Sequence, residues 1–109
     1  MKTVHTQADF IEYVNTNQGV LFYFATTSCA VGEALEPKVR KLLAEKYPKL
    51  VYCPIDMNLA AELSATHQVF VEPTLLLFIQ GKEFLRKSRH IGLQDLDMSI
   101  NRIYTLAFE

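Results

Sequence analysis

The chain has 109 residues, half of them hydrophobic, and a formal net charge of −1. That length suits one compact domain over residues 1–109 with one core, and the near-neutral charge argues against nucleic acid or an acidic membrane surface as a partner. Two cysteines do not make a disulfide scaffold, Met1 to Gln7 lacks the apolar core of a signal peptide, and no apolar run is long enough to span a bilayer; the expected compartment is the cytoplasm, where thiols stay reduced.

In chain order, Lys2 to His5 is a candidate short first strand. Thr6 can cap a helix that carries Phe10, Ile11 and Val14 on one face, and Gly19 is expected to end it in the C′ role. Val20 to Ala25 is a continuous apolar strand, as expected when both faces of a sheet are covered. It leads through Thr26-Thr27-Ser28 into Cys29-Ala30-Val31-Gly32. Ser28 is a candidate N-cap for the next helix, whose Leu35, Val39, Leu42 and Leu43 form one apolar stripe. Pro37 is expected to kink that helix, and Tyr47-Pro48 to stop it. Leu50 to Asp56 reads as the third strand, with Pro54 expected at a strand end or a bulge. Asn58 can cap a short helix carrying Leu59, Leu63 and Ala60. Residues 67–71 connect to Glu72-Pro73. Thr74 to Ile79, Gly81 and Phe84 to His90 make a hairpin with a polar outer strand. After Gly92, Leu93, Leu96, Ile100 and Ile103 give a last amphipathic helix.

The order β-α-β-α-β-α-β-β-α calls for an α/β fold with a central mixed sheet of five strands and helices on both faces. Val71-Glu72-Pro73-Thr74 followed by the apolar run Leu75 to Ile79 and Gly81 resembles the proline turn and following strand of the thioredoxin family. The apolar strand before Cys29, the offset of Pro37 and the pair Ile55-Asp56 fit the same resemblance, which covers about Thr6 to Tyr104. It implies a thioredoxin fold, a cis Pro73, and a substrate or peptide groove formed by Ser28, Ala30, Val31, Gly32, Glu72 and Pro73. It also implies Cys29 as the candidate catalytic nucleophile. The family carries Cys-x-x-Cys at this motif; here the second cysteine is replaced by Gly32. Where the family usually places Trp, Thr27 and Ser28 stand, and one residue is inserted between Ala25 and Cys29. Phe22 and Tyr52 occupy positions where dithiol members often carry a buried Asp and a Lys.

A dithiol exchanger needs one thiolate to attack and a second thiol to resolve the mixed disulfide. Cys29 can attack, but Gly32 cannot resolve. Cys53 lies mid-strand in an apolar run and reads as a small core hydrophobe. A position near a helix N-terminus lowers the pKa of Cys29. Glu33, Glu36 and Glu72, which by resemblance faces Cys29, oppose this.

His5, His67 and His90 lack ligand spacing, so neither a metal nor another cofactor is expected. Arg86, Lys87, Arg89 and His90 read as charges that protect an edge strand. Three functions stay open. One is a binding module for proteins or peptides at the edge beside Pro73. The second is a single-cysteine redox protein that forms mixed disulfides with glutathione or protein thiols, in cell redox homeostasis. The third is a dithiol oxidoreductase that uses Cys53 as partner.

Overall fold

The structure, a computed structural model, describes residues 4–26 and 30–108, the side chains of residues 30–33 excepted. The elements are α1 (Gln7–Thr16), β1 (Gly19–Ala25), α2 (Ala30–Lys46), β2 (Val51–Asp56), α3 (Ala61–Thr66), β3 (Thr74–Ile79), β4 (Lys82–Ser88) and α4 (Leu93–Phe108). Among the described residues the sheet has four strands in the order β2-β1-β3-β4. β1 runs parallel to β2 and antiparallel to β3, and β3 pairs antiparallel with β4.

The expected five-stranded sheet is corrected to four. Residues 1–3 lie outside the described residues, and Val4 and His5 join no ladder. Val4 is buried in the core all the same. A four-residue segment that buries one apolar side chain looks the same in sequence whether or not it pairs.

Each face of the sheet is covered by two helices, because β1 and β3 alternate their apolar side chains between two clusters. On one face Phe22, Phe24, Cys53, Ile55, Leu76 and Phe78 meet Phe10 and Val14 of α1 and Leu63 of α3. On the other, Leu21, Tyr23, Leu75, Leu77 and Ile79 meet Val39, Leu42 and Leu43 of α2 and Leu96, Ile100 and Tyr104 of α4. The α2 and α4 helices are tied together where Lys46 Nζ meets Asp97 Oδ2 at 2.7 Å and Tyr47 Oη donates to the Asp97 carbonyl at 3.0 Å.

Several local expectations change. Thr6 does cap α1, its Oγ1 accepting the Asp9 N–H at 3.1 Å. Ile11, however, is 45% exposed, so the buried face of α1 rests on Phe10 and Val14. Gly19 does not close α1 but opens β1. A Cβ there would lie 2.6 Å from Leu50 Cδ2 and 3.1 Å from both Ile79 Cδ1 and Phe108 Cζ, so glycine serves a close approach. Pro54 neither ends nor bulges β2; it pairs in register with Tyr23 on the strand that forms the sheet edge among the described residues, a place where proline is tolerated. Asn58 does not cap α3, which starts at Ala61 after Ala60. Its N–H instead meets Asp56 Oδ1 at 2.9 Å, and Leu59 is exposed in the same turn.

Candidate functional site

The carboxyl end of β1 is held from both sides. Ala25 pairs with Asp56, and its carbonyl accepts the Met57 N–H at 2.9 Å. Phe24 pairs with Thr74, the first residue of β3. Thr26 therefore leaves the sheet between the turn after β2 and the turn that carries Pro73.

The link between these segments is Glu72. Its Oε2 accepts the Thr26 backbone N–H at 2.7 Å, and its Oε1 accepts the Thr26 hydroxyl at 3.1 Å. Hydrogen bonds to an ionised carboxylate are among the stronger ones in proteins. Pro73 follows through a cis peptide bond and is buried. Its carbonyl accepts the Arg89 N–H at 2.8 Å. Thr74 Oγ1 donates to the Val71 carbonyl at 2.7 Å and lies 3.1 Å from Ser88 Oγ. The Pro73 turn is thus fixed to β1 on one flank and to β4 on the other.

Cys29 and Ser28 lie outside the described residues. The backbone of Ala30, Val31 and Gly32 forms the start of α2, the element that begins directly after Cys29. Glu72 and Pro73 are brought to the chain segment that leads into Cys29. The bond from Glu72 to Thr26, 46 residues away in sequence, carries no local signal, and the sequence reading missed it.

Cys53 is set apart from this site. It is a free thiol, 2% exposed, paired in register with Phe22. The strand pairing runs on through Ala25 and Asp56, which places Cys53 about 10 Å below the end of the sheet at roughly 3.3 Å per residue. Burial pushes its thiol pKa up to about 12.

Phe22 and Tyr52 do not form a pair. Phe22 faces the α1 side, where it stacks on Phe10 with centroids 4.2 Å apart. Tyr52 registers with Leu21 on the opposite face. Its hydroxyl donates to Glu36 Oε2 at 2.8 Å, and the Arg40 guanidinium lies 4.5 Å from its ring centroid while also bonding Glu36 at 3.3 Å. Burial, and then the bond to Glu36, raise the Tyr52 pKa. The Glu36 charge, expected to oppose the thiolate, is engaged by these two partners. No sequence pattern marked this cluster except the i, i+4 spacing of Glu36 and Arg40.

The histidines are dispersed. His67 Nε2 lies 2.8 Å from Gln7 Oε1, and its ring packs on Phe10 with centroids 4.1 Å apart. Burial lowers its pKa. His90 is exposed beyond β4. Among the described residues no group of three His, Cys, Asp or Glu could hold a metal ion, and no helix is long and apolar enough to cross a membrane.

A mixed sheet with four strands among the described residues and paired helices on each face, a strand followed in sequence by a cysteine and then a helix, and a proline turn packed beside that strand define a thioredoxin-type protein. The chain belongs to the thioredoxin family, whose profile matches residues 1–102. It is similar to the thioredoxin-like protein YdfQ of Bacillus subtilis, 29% identical over 106 residues that cover 97% of this chain and 94% of that protein. It is also similar to thioredoxin-1 of Saccharomyces cerevisiae, 28% identical over 78 residues, or 72% of this chain and 75% of that one. Among solved structures, the thioredoxin of Fasciola hepatica superposes with a TM-score of 0.84 at 26% identity, covering 94% of this chain and 98% of that one.

Proposed function

We propose that this thioredoxin-like chain binds protein or peptide segments in the groove beside Pro73 and offers them one usable thiol, Cys29, with dithiol exchange impaired. The groove comprises Ser28, Ala30, Val31, Gly32, Glu72 and Pro73. In the chemical step the Cys29 thiolate attacks one sulfur of a partner disulfide. The Cys29–partner S–S bond forms, the old S–S bond breaks, and the departing sulfur leaves as a thiolate. Release then requires attack by an external thiol, either glutathione or a protein thiol, because Gly32 cannot provide one.

The observation that carries this reading is the burial of Cys53, 2% exposed with its pKa pushed up to about 12. A protonated thiol inside the sheet is a poor nucleophile and a poor candidate for the resolving role that Gly32 leaves empty. Insulin reduction with dithiothreitol tests the proposal. Turnover is expected to be negligible beside that of a dithiol thioredoxin. Robust turnover that disappears on Cys29→Ser would sink the impaired-exchange reading, and its disappearance on Cys53→Ser as well would establish Cys53 as the second thiol.

A further inference from the structure

Among the described residues, three that are not glycine have left-handed backbone: Gln68 (φ 59°), Gln80 (φ 52°) and Arg89 (φ 65°). Two belong to ordinary devices. Gln68 follows α3, where its own N–H and that of Val69 return to the Ala65 and Ser64 carbonyls as in helix C-caps. Gln80 shares the two-residue hairpin turn with Gly81 (φ 81°). Arg89 has neither excuse. It follows β4, its N–H is held by the Pro73 carbonyl at 2.8 Å, and it is exposed. Glycine would adopt this conformation without steric penalty, and strain of this kind clusters at functional sites.

The basic run on this side of the molecule divides in two. Arg86 is held by both oxygens of Glu83, at 2.9 and 3.0 Å, and Lys87 by Asp95 at 2.9 Å. Among the described residues, the Arg89 and His90 side chains take part in no hydrogen bond or ion pair. Within this run the charge without a partner is that of Arg89, whose backbone is bonded to Pro73.

The points at which the two charged residues around Pro73 are anchored are also separated in space. Glu72 is tied to Thr26 on the β1 flank, whereas Arg89 is tied to Pro73 on the β4 flank. Since β3 lies between β1 and β4, the two flanks stand about two strand spacings, roughly 9–10 Å, apart. An extended segment crossing the turn covers that span in about three residues. We propose that Arg89 is a specificity-determining residue of the groove, receiving a carboxylate of a bound protein segment placed about three residues from the position that meets Glu72. This rests on the peptide-binding reading above.

The test uses three labelled, capped ten-residue peptides with a central serine in place of cysteine, measured by fluorescence anisotropy at low ionic strength. One carries Glu three residues to either side of the serine, one carries Gln there, and one carries Glu directly beside the serine. The spaced-Glu peptide is expected to bind about two- to fivefold more tightly than the Gln peptide, the scale of an exposed ion pair; the adjacent-Glu peptide binds no better than the Gln peptide. Arg89→Asn, which tolerates left-handed backbone, abolishes the preference. Arg89→Gly abolishes it while leaving the denaturation midpoint unchanged or higher, which separates recognition from stability. Arg86→Asn leaves the preference intact. Equal binding of the spaced-Glu and Gln peptides, or a preference that survives Arg89→Asn, overturns the role of Arg89 and leaves the groove standing. Failure of every peptide to bind overturns both. Displacement of the peptide by S-methylglutathione at comparable concentration overturns the assignment to a protein segment.

Discussion

Glu72 joins two segments through a single side chain, and its charge and its hydrogen bonds are separable by mutation. Glu72→Ile removes both and leaves the part-buried Thr26 N–H without its acceptor, at a cost of about 1–3 kcal/mol. Glu72→Gln keeps an acceptor for that N–H and is expected to lose less than half as much, measured by urea denaturation. Each substitution removes a negative charge beside the segment that leads into Cys29. Alkylation of Cys29 near neutral pH is therefore expected to quicken about three- to tenfold, equivalent to half to one pKa unit. If both variants match the parent in stability and alkylation rate, the carboxylate neither holds Thr26 nor acts on the thiol. The sequence drew attention to Glu72 because it precedes the proline of a family motif. It did not show what Glu72 binds, since Thr26 becomes a neighbour only after β1 and β3 have paired.

Elements with one dominant signal were legible. The unbroken apolar runs of β1 and β3 betrayed strands covered on both faces, and both are buried almost throughout. The Leu96-Ile100 stripe likewise located α4. Elements whose signals compete were misread. Gly19 follows a helix and precedes a strand, and the cap explanation and the packing explanation invoke the same residue. Only the crossing of Leu50, Ile79 and Phe108 over its Cα decides between them. Gly19→Ala tests that finding. The added methyl must displace the buried Leu50 side chain, which should destabilise the fold by about 1–3 kcal/mol, read as a lower urea midpoint with unchanged slope. A neutral or stabilising result would mean that Leu50 rotates away freely. The short α3 was misplaced for a related reason. Asn58 is a good capping residue, yet it is taken up in a turn in which the Asp56 side chain accepts its N–H and the Asp56 carbonyl accepts those of Leu59 and Ala60, and α3 starts only at Ala61.

For the molecule as a whole, the buried acids set a pH limit. Cys53 is raised from an ordinary value near 9 to about 12 by burial. Tyr47 and Tyr52 are raised from near 10 by burial, together with their bonds to Asp97 and Glu36. Above pH 9 the unfolded chain releases protons that the native chain keeps, so the native state binds more of them and stability falls as pH rises. The Cys53 contribution is lost between about pH 9 and about pH 12, at up to about 1.4 kcal/mol per pH unit. The urea midpoint is expected to drop between about pH 8 and about pH 10.5, and to drop less in Cys53→Ala when each protein is compared with its own midpoint at the lower pH. An equal drop in the two proteins would assign the effect to the tyrosines. The same enclosed sulfur also makes the chain its own unfolding sensor. A thiol reagent meets Cys53 only in molecules whose sheet has opened, so the fraction of chains carrying an adduct at that residue counts native-state openings, with no dye or engineered probe.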